Sequence, residues 1–302
     1  MSEATKDNLL VGLVKEVAIS TLQATPVPMK DIFTFNASVE AEKGGFATFP
    51  EIDMGDNAVK TFAGTYEVGG YGHKGYRVPI VEKYIDLNRN NFDEQSFNLG
   101  SMESEVAEAI TQLVNGISSE AFALANDASK FAGEVVIATP SAMTADKVGE
   151  SIVPLKDAKY KAPYSVVLNP SYHFGLVSDI ADASVLGSAD AIRNGKSGSI
   201  MGASVYESNG LAVGQKGFVT AKDAIAFACR GVADPDNVFD LNANIEDSKT
   251  GLIINVRRFK SPANGSIRTL VAIRYGMGVI RDGALYRIVT EATEPEESSS
   301  GE

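Results

Sequence analysis

Four groups of residues in this sequence have types and spacings that chemistry could use. Gly70-Tyr71-Gly72-His73-Lys74-Gly75 matches G-x-G-x-x-G, whose glycines let backbone approach a pyrophosphate. That use needs a strand before the pattern and a helix after it, so that a helix N-terminus meets the phosphate. Here a strand-like run containing Pro79 follows, and the pattern reads as a glycine-rich loop. Asp190 to Ser197 ends in Gly195-Lys196-Ser197, like a phosphate-binding loop, but the carboxylate of Asp190 stands where the first glycine is needed. His73 and His173 are far apart with no partner at helical spacing, which predicts no zinc site. Cys229 closes an apolar run and reads as a buried thiol, since reactivity needs exposure and a lowered pKa. No G-x-S-x-G nucleophile elbow occurs. These residues predict no catalytic constellation, no metal and no cofactor. The chain reads as a non-enzyme.

Charge narrows the partners. Lys and Arg number 27 against 39 Asp and Glu, a net charge of −12, so bulk electrostatics will not hold nucleic acid. At 302 residues and 44% hydrophobic content, the chain is expected to form roughly two domains, or one elongated fold with an insertion. Met1 to Asp7 lacks the basic-then-apolar pattern of a secretory signal, and no apolar stretch approaches the ~18 residues that span a bilayer. A single cysteine excludes an internal disulfide. The expectation is a soluble protein, made inside a cell, with no membrane partner.

The elements that would position any site follow from periodicity. Leu9, Leu10, Leu13, Val14, Val17, Ala18 and Leu22 fit one helical face, ended by Pro26 and Pro28; this predicts an arm whose apolar face needs a partner. Phe46 to Phe49 and Tyr76 to Val81 read as strands around a glycine-rich middle, a hairpin too small to stand alone. Met102, Val106, Ala109, Ile110, Leu113, Ile117, Ala121 and Leu124 form one stripe of a long helix, with Ser101 as N-cap and Glu103, Glu105 and Glu108 near its positive end. Val135 to Ala138 and Val166 to Leu168 read as buried strands, Ala224 to Cys229 is apolar throughout, and Asn169-Pro170 begins a helix. Residues 249–289 read as a β meander, and Thr293 to Glu302 as a disordered acidic tail.

This succession resembles the tailed-bacteriophage major capsid proteins of the Hong Kong 97 fold. The stretch that carries the resemblance runs from Ser165-Val166-Val167-Leu168-Asn169-Pro170 through Gly198-Ser199-Ile200-Met201-Gly202-Ala203-Ser204-Val205-Tyr206-Glu207 to Asp223-Ala224-Ile225. Tyr275 to Asp282 is similar to the family's closing strand, and Phe92 to Ser96 to its entry into the spine helix. The resemblance implies an α+β fold with an N-terminal arm (1–43), an extended loop (44–91) and a long spine helix of the peripheral domain (92–133). It further implies an inserted α/β apical domain (134–232) and returning peripheral-domain strands (233–292), with the tail at 293–302.

By the same resemblance the protein is a major capsid protein. It would self-assemble as hexamers and pentamers into an icosahedral shell around double-stranded viral DNA, without sequence-specific binding. Scaffolding, portal and decoration proteins are its implied further partners, and its implied location is the virion, after assembly in the host cytoplasm. An encapsulin-type nanocompartment of the same fold is the nearest alternative, and a soluble acidic α/β enzyme the alternative of another class. Charge placement adds one expectation from the residues themselves. Between Lys249 and Val289 eight basic residues face one acid, so Arg257, Arg268 and Arg274 should form a basic strip. That strip reads either as a solvated sheet face or as a contact with the acidic loop or arm of a neighbouring copy, for instance Glu51, Asp53 and Asp56.

Overall fold

The structure is a computed structural model that describes residues 12, 14–22, 29–38, 45–53, 72–89, 99–182, 199–233, 239–247, 250–260 and 266–291. Residues 54–71 of the expected loop, the Asp190 to Ser197 run, Phe92 to Ser96 and the acidic tail lie outside these residues, while Gly72 to Gly75, read as loop, are strand.

Two mixed sheets and one hairpin carry the strands. The first sheet contains β1 (Thr34–Ser38), β4 (Val81–Arg89), β10 (Ile225–Arg230), β11 (Leu241–Glu246), β12 (Ile253–Lys260) and β13 (Ile267–Val279). Strand β13 is its spine. Residues 267–275 pair with β4, residues 267–273 with β12 and residues 274–279 with β10. Strands β12 and β10 therefore share one edge of β13 end to end, and β4 holds the other. At their junction the Cys229 sulfur accepts a hydrogen bond from the Ile253 amide at 3.3 Å. The second sheet runs β5 (Glu134–Val136), β14 (Leu285–Val289), β9 (Gly217–Ala221), β6 (Tyr164–Leu168), β8 (Ala203–Glu207), β7 (Ser199–Ile200). Strands β2 (Phe46–Asp53) and β3 (Gly72–Pro79) form the separate hairpin.

The helices are α1 (14–22), α2 (Met29–Ile32), α3 (Leu99–Ala125), α4 (Ala145–Asp157) and α5 (Pro170–Asp182). The stripe predicted for α3 is buried at Val106, Ala109, Ile110, Leu113, Ile117 and Ala121, against Val271, Ile273 and Tyr275 of β13 within one core. That core continues into the second sheet, where Phe122 lies 5.6 Å from Phe218 and Phe218 stacks on Phe33 at 6.4 Å. Helix α5 begins as expected after Asn169, whose side chain accepts the Tyr172 amide at 2.9 Å.

Several expectations need correction, and those about sheet membership fail because β pairing joins residues far apart in sequence. The segments 34–38 and 81–89, read as arm and loop, are strands of the first sheet, and so is 225–230, read as apical. Residues 285–289 leave the meander: a 3₁₀ turn at Asp282–Ala284 redirects the chain, and β14 pairs with β5 and β9 in the second sheet. The described part of the arm covers its own chain's core through Val14, Ala18, Leu22, Met29 and Ile32, so this part needs no neighbour. Helix α3 starts at Leu99, which puts Ser101 inside it and leaves no acid in its first turn. Strand β5 is an edge, and Val136 is exposed.

Candidate assembly surface

Alternation gives the first sheet two unlike faces. Phe227, Tyr275, Ile273, Val271, Ile254 and Val256 face α3 and the core. On the outer face, cross-strand register aligns Arg274 with Glu82, Leu270 with both Asp86 and Arg257, and Ala272 with Tyr84. This brings the three predicted arginines together. It also supplies partners that the count over 249–289 could not see. Arg257 and Arg274 (3.3 Å) both pair with Glu82, and Arg268 with Asp86 through Nη2 and through Nε at 3.0 Å. The Asp86 hydrogen bond holds the Arg268 guanidinium above its ordinary pKa. Phe239 and Phe259 interleave with them, the Arg257 guanidinium lying 5.5 Å from the first ring and that of Arg268 5.7 Å from the second.

The strip is therefore compensated within the chain: three arginines against Glu82 and Asp86 leave +1, not an uncovered basic row. Glu82 and Asp86 were legible as an alternating Glu82, Tyr84, Asp86 run once 81–89 was read as a strand. Of the expected acidic partners, the backbones of Glu51 and Asp53 lie in β2, and Asp56 lies outside the described residues. Tyr84 stands 59% exposed among the charges, giving the face an aromatic centre.

Beyond the arginines the same face carries the hairpin. Ala47, Phe49 and Val78 pack on Ala226 and Ala228 of β10 as a small cluster separate from the main core. This accounts for the unbroken apolar run of β10, buried on both faces: Phe227 and Cys229 inward, Ala226 and Ala228 beneath the hairpin. Ile80 closes the base by donating its amide to the Gly45 carbonyl at 2.7 Å.

The remaining chemical groups serve the fold. Burial pushes the Cys229 thiol up to about 11, away from reactivity. His173, buried on α5, places Nδ1 3.2 Å from Glu207; burial lowers its pKa and Glu207 opposes this. Lys83 of β4 and Tyr275 of β13 both bind Glu120 of α3, the phenol donating at 2.5 Å. Burial, then that hydrogen bond, pushes Tyr275 up to about 12. Burial of Glu120, which acts upward, is outweighed by its bonds from Lys83 and Tyr275, and its pKa is lowered. Among the described residues no cluster of three or more His, Cys, Asp or Glu could hold a metal, and no helix is long and apolar enough to cross a membrane.

No family model matches the sequence, and no curated protein matches it. Solved structures do. The capsid of cyanophage P-SCSP1u matches with TM-score 0.58 at 12% identity, over 87% of this chain and 88% of the other. The capsid of Ralstonia phage GP4 matches with TM-score 0.57 at 11% identity, over 87% and 88%. The holo-SrpI encapsulin complex from Synechococcus elongatus PCC 7942 matches with TM-score 0.53 at 12% identity, over 89% of each chain. These neighbours are structural shell proteins, and none of the three owes its match to a short fragment. A long helix laid across one mixed sheet, a second sheet built from inserted and returning strands, and a hairpin docked at its base together make this chain a member of the Hong Kong 97 fold class.

Proposed function

We propose that this chain is a major capsid protein, the subunit of an icosahedral shell of hexamers and pentamers enclosing double-stranded viral DNA. The observation that carries the reading is the match of 87% of the chain to phage capsids at TM-scores of 0.58 and 0.57. The net charge of −12 suits a container wall, since it repels packaged DNA rather than adsorbing it. In this reading the first sheet with α3 is the peripheral domain and the second sheet with α4 and α5 the apical domain. The arm and the extended loop are the segments before β1 and between β2 and β3. Assembly takes place in the host cytoplasm, with scaffolding, portal and decoration proteins as partners, and the product is the virion capsid.

A second reading, an encapsulin-type compartment, is favoured by the SrpI match, which covers 89% of this chain at TM-score 0.53. One preparation separates them. Particles purified from the native source and imaged by electron microscopy should be closed shells containing double-stranded DNA that resists nuclease until the shell is opened. Shells filled with protein instead establish the compartment, and a stable monomer at high concentration with scaffold supplied refutes both.

A further inference from the structure

The hairpin leaves the body over a floor with almost no side chains. Ala226 and Ala228 of β10 face Gly278 and Gly276 of β13 in register, and Val78 lies on these four residues. A Cβ on Gly276 would stand 2.2 Å from the Pro79 carbonyl oxygen, a backbone atom, and 2.9 Å from Val78 Cγ1. A Cβ on Gly278 would meet only Val78, at 3.1 Å. Neither glycine has the positive φ that would require it for conformational reasons. What the two positions lack is room.

Resting on the shell reading above, we infer that Gly276 and Gly278 are positioning residues that set the pitch of the β2–β3 hairpin over the first sheet, and through it the geometry in which one copy reaches the next. Strand β3 runs from Pro79 back to Gly72 past the seat, so the seat is the short end of a lever. Lifting the hairpin by about 1 Å at Gly276, with Gly278 about 7 Å away as pivot, turns it by about 8° and moves the Gly72–Asp53 pair, about 20 Å beyond, by about 3 Å. Displacements of that size separate a fitting from a clashing contact between close-packed surfaces.

The test uses the full chain with two readouts, hydrogen exchange on dissociated subunits and the size of assembled shells by electron microscopy. Gly276→Ala should lose protection at the Ile80 amide and the β2–β3 ladder, keep it in the β12–β13 ladder, and fail to yield shells of the parental size. Gly278→Val should do the same, and Val78→Ala should restore both readouts to it, because Val78 alone occupies that space. The same Val78→Ala should not rescue Gly276→Ala, where the obstacle is the Pro79 carbonyl. Gly278→Ala, which needs a shift of only a few tenths of an ångström, covers the case that the larger variant fails to fold. Parental-sized shells from variants that have lost hairpin protection overturn the inference, as does unchanged protection or loss of protection throughout the sheet. If the parent protein itself forms no shells, the shell reading fails, while the exchange readout still decides whether the glycines hold the hairpin.

Discussion

Two adjacent residues of α3 should respond to alanine with opposite signs. Ile117 is 1% exposed and belongs to the core between helix and sheet, whereas Gly116 is exposed, with nothing within 4 Å of an added Cβ. Ile117→Ala removes three carbons, about 2.4 kcal/mol at about 0.8 kcal/mol per buried methylene. The residual cavity brings the cost to about 3–4 kcal/mol. Gly116→Ala fills no occupied space and restricts the unfolded backbone, so it should stabilise by about 0.5–1 kcal/mol. With an m-value of about 3 kcal/mol/M, the urea midpoint should fall by about 1 M in the first variant and rise by about 0.2–0.3 M in the second. The assay is circular dichroism of dissociated subunits, because assembly stabilises the folded state by mass action and would mask both effects. A destabilising Gly116→Ala would show that the assigned outer face is covered, and a silent Ile117→Ala would show that the stripe does not face the sheet.

Tyr275 should titrate late: ultraviolet absorbance should show one phenol ionising near pH 12, well after exposed tyrosines. Its folded pKa lies above the unfolded value, so the unfolded chain loses the proton first and stability declines as pH rises from about 10; Tyr275→Phe should remove that decline while costing about 1.5–3 kcal/mol at neutral pH for the bond to Glu120. His173 has its pKa lowered mainly by burial, so the unfolded chain binds the proton first and stability falls as pH drops below about 6.5. His173→Gln should flatten that limb in thermal melts, and an unchanged acid profile refutes the assignment. Arg268→Glu sets a carboxylate against Asp86 in its own chain and, on the proposed contact, against the acidic loop of a neighbour. Rescue of shell yield by Glu51→Arg or Asp53→Arg identifies the neighbour, rescue by Asp86→Arg identifies the internal pair, and normal yield of Arg268→Glu across a salt series sinks the contact altogether.

The amino-acid sequence by itself determined whatever depends on short-range pattern. The α3 stripe, the start of α5 after Asn169, the all-buried runs of β6 and β10 and the β12–β13 hairpin follow from spacings within about 15 residues, where side-chain periodicity and backbone geometry are coupled directly. The order of these elements was enough for the resemblance that the structural matches bear out as a fold. Only the tertiary structure decided which sheet each strand joins. Thr34–Ser38 reaches β10 across about 190 residues and Leu285–Val289 crosses into the second sheet, pairings set by which edges are left open rather than by any local signal. The outer face of the first sheet shows the consequence. Charge counted along 249–289 made Arg257, Arg268 and Arg274 an unanswered basic strip, while Glu82 and Asp86 stood some 180 residues away in sequence and one strand away in space. Coulomb attraction depends on distance through the fold, and sequence separation carries no information about that distance until the strands have paired.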